Sequence, residues 1–210
     1  MCGRFVDPNL RNTETDFAEL KIDPFPASIV DRERRFNVKP TNDVLILRPG
    51  RADLARWCLI PSWHRGEAKD WKATTFNARI EEAAKKPSFR GPWRQGRCLI
   101  PAGGYYEWTG KTPKQPHFIG GAGNAETLVF AGLFSPWRDI LTCTIVTGAA
   151  NVSSWEVHDR MRVILNPDEQ QAWLAGSDDT TIGSGAQLRH HPVQRFGIPD
   201  DGPELIEPAA

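Results

Sequence analysis

The tightest constraint on the fold is a set of short apolar runs, rich in β-branched and aromatic residues, spread along the chain. They are DVLILR at 43–48, DLARWCLI at 53–60, RCLIP at 97–101, TLVFAGLF at 127–134, ILTCTIVTG at 140–148 and RVIL at 162–165. Each has the length and composition of a β-strand. The 17 prolines and 18 glycines cluster between them, as in PAGG at 101–104 and GGAGN at 120–124, which predicts turns there. No internal repeat is present. The runs predict one sheet system or barrel, mainly antiparallel.

Helices are fewer. NPDEQQAWLAG at 166–176 reads as one, with Asn166 as N-cap, Pro167 at the first helical position, acids in the first turn and Gly176 past the end. NARIEEAAKK at 77–86 has helical composition stopped by Pro87, and TETDFAEL at 13–20 carries a Thr cap with Phe17 and Leu20 on one face. Strands with a few peripheral helices predict an α+β fold. A chain of 210 residues buries about 70% of its unfolded surface without staples. One domain over 1–210 is expected, with an acidic, loop-rich segment from 176 to the end.

The four cysteines lie at 2, 58, 98 and 143, with no CxxC and no Cys/His pair at zinc-ligand spacing. A disulfide framework, a metal site and a cofactor are therefore not expected. No apolar leader precedes Cys2 and no run of about 18 apolar residues is present, so a cytoplasmic, monomeric chain off the membrane is expected.

Formal net charge is zero, but it is unevenly spread. Residues 65–97 hold nine Lys/Arg against four acids, whereas 166–210 hold eight acids against Arg189 and Arg195. Five of the eight tryptophans, Trp57, Trp63, Trp71, Trp93 and Trp108, fall in or beside the basic stretch. Cations interleaved with rings suit single-stranded nucleic acid, because cations track phosphates and rings stack on bases. Core tryptophans under a solvated basic face would look the same.

Position 2 carries the most specific chemistry. If Met1 is removed, Cys2 presents an α-amine and a thiol on adjacent carbons, and both are partly nucleophilic near neutral pH. An aldehyde would condense with the amine to an imine, and the thiolate would then close a five-membered thiazolidine. A cysteine placed by chance in a frayed terminus is the alternative. Three polar residues are candidate helpers. Glu107, among Tyr105, Tyr106 and Trp108, is either a general acid/base with a raised pKa or an exposed strand residue. His158, flanked by Glu156, Asp159 and Arg160, suits a proton shuttle, whereas His190 and His191 read as surface-loop residues. Asn77 either hydrogen-bonds a substrate hydroxyl or caps the helix after it.

Together these stretches resemble the SRAP family, the SOS response-associated peptidase domain whose members crosslink to abasic sites in single-stranded DNA. The matching stretches are MCGRF at 1–5, RFNVKPT at 35–41, WCLIPSW at 57–63, FNARIEEAAKKPSFR at 76–90, RCLIPAGGYYEW at 97–108, FAGLF at 130–134, TIVTGAAN at 144–151 and VHDRMRVIL at 157–165. Beyond about residue 176 only HPVQRF and PELIEP match.

The resemblance implies that Cys2 forms the thiazolidine with the ring-opened sugar of an abasic site. It assigns Asn77 to orient the sugar and Cys2, Glu107 to manage protons during imine formation, and His158 to assist ring opening and reversal. Arg4, Arg79, Arg90 and Arg160 fall at basic positions expected on DNA. Pro40 and Trp71 fall where apolar surface presses on the flanking bases. Three positions depart from the usual pattern. Cys58 stands where glycine is usual, Gly103 where an acidic or polar residue is usual, and Arg162 where proline is common and where an added phosphate contact is expected. Abasic-site lyase activity and self-processing at Met1 are further implied. An N-terminal-cysteine amide hydrolase and a noncatalytic single-stranded DNA binder are the competing functions.

Overall fold

The computed structural model describes residues 3–10, 17, 25–122 and 127–209. Eleven strands are present among them: β1 Phe5–Val6, β2 Asp43–Arg48, β3 Arg51–Trp57, β4 Asn77–Arg79, β5 Arg97–Ala102, β6 Gly104–Thr109, β7 Gln115–Gly121, β8 Leu128–Trp137, β9 Ile140–Ala149, β10 Arg160–Arg162 and β11 Leu188–Pro192. The α-helices are α1 Ala27–Val30, α2 Ile80–Ala83, α3 Arg90–Gln95 and α4 Pro167–Leu174.

Five strands close a barrel in the order β9-β3-β2-β5-β8 and back to β9. The β2–β3, β5–β8 and β8–β9 pairs are antiparallel, but β3 meets β9 in parallel, Arg56 opposite Thr142 and Trp57 opposite Cys143. On the same edge of β9 the short β4 continues that parallel pairing, Asn77 opposite Ile145 through Arg79 opposite Thr147. A second, four-stranded sheet has the order β1-β6-β7-β11 and is antiparallel throughout.

The runs in β2, β5, β8 and β9 are continuous rather than alternating because these barrel strands are covered on both faces. Val44, Ile46, Trp57, Ile100, Phe130 and Ile145 pack together with Phe5 and Tyr105 of the second sheet. Their neighbours Leu45, Leu47, Leu99, Val129, Leu133 and Val146 pack with Ile29, Trp93 and Trp173 from the helices. Helix α4 forms as its sequence dictates. Asn166 accepts the Glu169 amide, and the Glu169 carboxylate accepts the Asn166 amide in return, closing a capping box ahead of Pro167.

Several local expectations are corrected. The stretch 77–86 is a strand followed by one helical turn. Asn77 lies in β4 and Arg79, not Asn77, sits at the cap of α2, because parallel pairing with β9 outweighs the helical composition. RVIL pairs earlier than its apolar residues suggest, at Arg160–Arg162, and Ile164 makes only an isolated bridge to Phe130. PAGG is nearly all strand: Pro101 and Ala102 end β5 and Gly104 begins β6. Gly104 has φ +149, and a Cβ there would lie 2.3 Å from the Phe118 ring, so only glycine fits. Gly120 and Gly121 likewise end β7 rather than forming a turn. His190 and His191 are not loop residues but lie in β11, within the acidic segment expected to be loop-rich. The helix expected at 13–20 lies outside the described residues except for buried Phe17.

Candidate active site and nucleic-acid interface

Cys2 lies outside the described residues, so the site is built from what surrounds the chain leading to it. Strand β1 pairs with β6 in the register Phe5 opposite Tyr105 and Val6 opposite Gly104, and the Tyr106 amide donates to the Arg4 carbonyl at 3.2 Å. Continuing this register sets Gly3 across from Glu107. A Cβ on Gly3 would lie 3.1 Å from Pro40 Cγ and 3.6 Å from Phe76 Cε2, so Pro40 and the residue before Asn77 both abut this segment.

Glu107 is 5% exposed, which removes the alternative of an exposed strand residue. Its cross-strand neighbour on β7 is His117, whose pKa burial lowers, with His190 and His191 pushing the same way. Asn77 is held by its backbone: the Phe76 carbonyl before it accepts from Trp57 Nε1 at 2.7 Å and from the Ile145 amide at 3.2 Å. The Asn77 Oδ1 is buried with no hydrogen-bond partner among the described residues, a vacancy that suits a substrate donor. His158 Nδ1 lies 2.6 Å from Asp159 Oδ1 and 3.0 Å from the Arg160 amide. The amide needs a lone pair on Nδ1 and the carboxylate needs a proton there, so the ring has a local partner in either protonation state.

The cations are not equivalent. Arg4 donates from Nη1 to the Gly197 carbonyl at 3.1 Å and rests on the rings of Trp108 and Phe196. Arg160 is bidentate to the Glu81 carboxylate, both bonds 3.0 Å, and also donates to the Thr147 carbonyl. A phosphate at Arg160 must therefore compete with Glu81. Arg79 is 51% exposed at its side chain and only 3.9 Å from Glu82, a loose pair that leaves it open to solvent. Arg90 belongs to a groove of about 170 Å³ lined by Pro61, Trp63, Pro92 and Arg94. Arg162 contradicts the expected phosphate contact. It is 2% exposed, with its guanidinium 4.3 Å from the Tyr105 ring centroid and Nη2 donating to the Arg4 carbonyl at 3.1 Å.

The Arg160 bond holds the Glu81 carboxyl below its ordinary value near 4.5. A depressed native pKa stabilises the fold above the unfolded value, and that stabilisation is lost as pH falls through the native value. The melting-temperature advantage of the wild type over Glu81→Gln is therefore expected to be full at neutral pH and to shrink below about 4.5. An advantage unchanged down to pH 3 would contradict the pair.

The tryptophans divide between the two readings. Trp57 and Trp93 are core residues, as is Trp173. Trp63 is 53% exposed and meets Trp71 edge to face at 5.6 Å, while Trp71 is pinned by a 3.0 Å bond from Nε1 to Thr75 Oγ1. The family departures also find places. Cys58 has φ +110, in the region that favours glycine, and so carries backbone strain. Gly103 leaves space occupied by Arg34, whose Nη2 would be 2.5 Å from an added Cβ. Of the residues around the site, His117 and the buried setting of Arg162 were not legible. Both depend on cross-strand neighbours, which no local pattern encodes.

A closed barrel beside a small sheet, with an N-terminal strand led past a buried glutamate and an asparagine with an open acceptor, defines one kind of protein. The model of the SOS response associated peptidase (SRAP) family matches residues 1–196, and the chain belongs to that family. It is 37% identical over 187 residues to the abasic site processing protein YoqW of Bacillus subtilis, covering 83% of this chain and 80% of that one. It is 29% identical over 234 residues to the abasic site processing protein YedK of Escherichia coli, covering 99% and 100%. A crystal structure of a protein from Bacteroides thetaiotaomicron superposes with a TM-score of 0.80 over 98% of this chain and 100% of that one, at 23% identity.

Proposed function

We propose that this chain processes abasic sites in single-stranded DNA by covalent capture through Cys2. The observation that carries the proposal is the set of groups around the chain leading to residue 2: buried Glu107 on β6, the strand that β1 pairs with, Pro40 and Phe76 against Gly3, and the unpartnered Oδ1 of Asn77 next along the chain. The names of the relatives support the same lesion.

Once Met1 is removed, by self-cleavage or an aminopeptidase, the Cys2 amine attacks C1 of the ring-opened sugar to give a carbinolamine. Loss of water, with a proton delivered to the departing hydroxyl, yields the imine. Glu107, buried and with His117 as its cross-strand neighbour, makes that transfer. The Cys2 thiolate then adds to the imine carbon, the nitrogen takes up a proton, and the thiazolidine closes. His158, with a partner for each protonation state, serves sugar ring opening and reversal. Asn77 Oδ1 accepts from a sugar hydroxyl. The imine acidifies the protons beside it, which allows lyase cleavage as a side reaction. Arg4 and Arg79 supply phosphate contacts, Pro40 and Trp71 supply apolar contact to the flanking bases, and the chain acts as a cytoplasmic monomer.

The test is an incubation of protein shown by mass spectrometry to lack Met1 with a single-stranded oligonucleotide bearing one abasic site. A species with the summed mass less one water that survives heat and detergent is expected, and none with the intact oligonucleotide. No adduct from correctly processed protein overturns the proposal.

A further inference from the structure

We infer that Arg162 is a positioning residue that holds the reactive N-terminal segment over Glu107; the inference rests on the function proposed above. The guanidinium is 2% exposed, lies 4.3 Å from the Tyr105 ring centroid and 5.2 Å from that of Phe130, and donates from Nη2 to the Arg4 carbonyl at 3.1 Å. Burying a guanidinium is costly unless it is engaged, and here its faces meet the rings while Nη2 donates to the Arg4 carbonyl.

The position of that carbonyl gives the contact its meaning. Arg4 O is also the acceptor for the Tyr106 amide at 3.2 Å, so β6 and β10 hold the same atom from two sides. Strand β1 spans only Phe5–Val6, and a ladder this short frays at its open end. From Arg4 the chain has only Gly3 to cross before Cys2. A charge-assisted bond from a side chain locked between rings fixes the carbonyl's direction more firmly than a terminal backbone bond alone. It thereby fixes the backbone at Arg4, from which Gly3 leads to Cys2. The donor comes from β10, whose first residue, Arg160, gives its amide to His158, so one short strand orients both the segment leading to the nucleophile and the imidazole.

The test compares wild type, Arg162→Met and Arg162→Lys, all confirmed to lack Met1, on single-stranded DNA with one abasic site. Single-turnover adduct formation is measured well below each melting temperature. Noncovalent affinity is measured separately on the same strand carrying a reduced abasic site, which offers no aldehyde to the Cys2 amine. Methionine keeps the apolar packing but removes the donor, and is expected to slow adduct formation about tenfold or more, within the range that a small misplacement of reacting groups costs. Affinity is expected to stay within about twofold, because Arg162 is buried and a phosphate contact needs an exposed cation. Lysine, which keeps a donor but loses the planar stack, is expected to fall between the two in rate. A purely structural role would lower the melting temperature without separating rate from affinity.

An Arg162→Met rate within twofold of wild type, or a parallel loss of rate and affinity, overturns the inference and leaves the proposed function standing. If Arg162→Met fails to fold, Arg162→Lys decides: a slowed rate at unchanged affinity supports positioning, and the wild-type rate overturns it. A wild type that forms no adduct refutes the proposed function instead.

Discussion

Cys2→Ala protein, with Met1 removed, is expected to lose the heat- and detergent-stable adduct with abasic single-stranded DNA while keeping its noncovalent affinity within a few-fold. Alanine retains the α-amine, so the imine still forms, but without the thiol it cannot close the ring and hydrolyses on denaturation. The yield of unreduced adduct should fall by roughly 100-fold or more, in keeping with the loss of a covalent nucleophile. Adding borohydride during the reaction should restore a stable product, because reduction turns the imine into an amine. The two readouts separate the roles of amine and thiol. An unreduced Cys2→Ala adduct at wild-type yield would remove the thiazolidine from the mechanism. A noncatalytic binder would show no adduct in any lane and equal, salt-sensitive affinity for intact and abasic strands.

Trp57→Ala is expected to cost about 3–5 kcal/mol, the range for deleting a fully buried large aromatic side chain. Trp57 is 0% exposed, meets Phe5 edge to face at 5.1 Å and Phe76 at 6.0 Å, and donates from Nε1 to the Phe76 carbonyl. It therefore joins three parts of the molecule: the barrel through β3, the N-terminal strand through Phe5, and the β4 segment that bears Asn77. Urea unfolding gives the measurement, with the slope checked so that a changed denatured state is not read as lost stability. Trp57→Phe should cost less, keeping most of the ring contact while losing a hydrogen bond worth about 1 kcal/mol. The Phe76 carbonyl would still accept from the Ile145 amide. A Trp57→Ala cost below about 1 kcal/mol would show that the ring is not a packing element.

Much of the fold was legible because barrel strands covered on both faces read as continuous apolar runs. DVLILR became β2 residue for residue, and RCLIP and ILTCTIVTG became β5 and β9 with one extra residue each. Helix α4 was equally plain, since Asn166, Pro167 and Glu169 form its cap within one turn. The candidate site residues stand out differently: Cys2, Asn77, Glu107 and His158 are picked out by residue type and by motifs in order, not by periodicity.

What stayed hidden lies in contacts between distant segments. NARIEEAAKK carries helix formers, yet its first three residues pair with β9, some seventy positions further along, because the stretch of β9 beyond its pairing with β3 offers hydrogen bonds that local propensity cannot match. The same holds for His190 and His191, drawn into β11 by β7. Arg162 is the clearest case. Among basic neighbours it reads as a phosphate ligand, and only the placement of Tyr105, Phe130 and the Arg4 carbonyl makes it an interior clamp.

Local chemistry along this chain dictated its five barrel strands and the cap of α4 and marked Cys2 as a candidate nucleophile, because covalent structure and short-range patterning suffice for each. Tertiary structure alone decided that Glu107 is buried, that Asn77 pairs rather than caps, and that Arg160 and Arg162 face different partners. Burial and charge pairing depend on which segments meet across the barrel, and one-dimensional order does not carry that information.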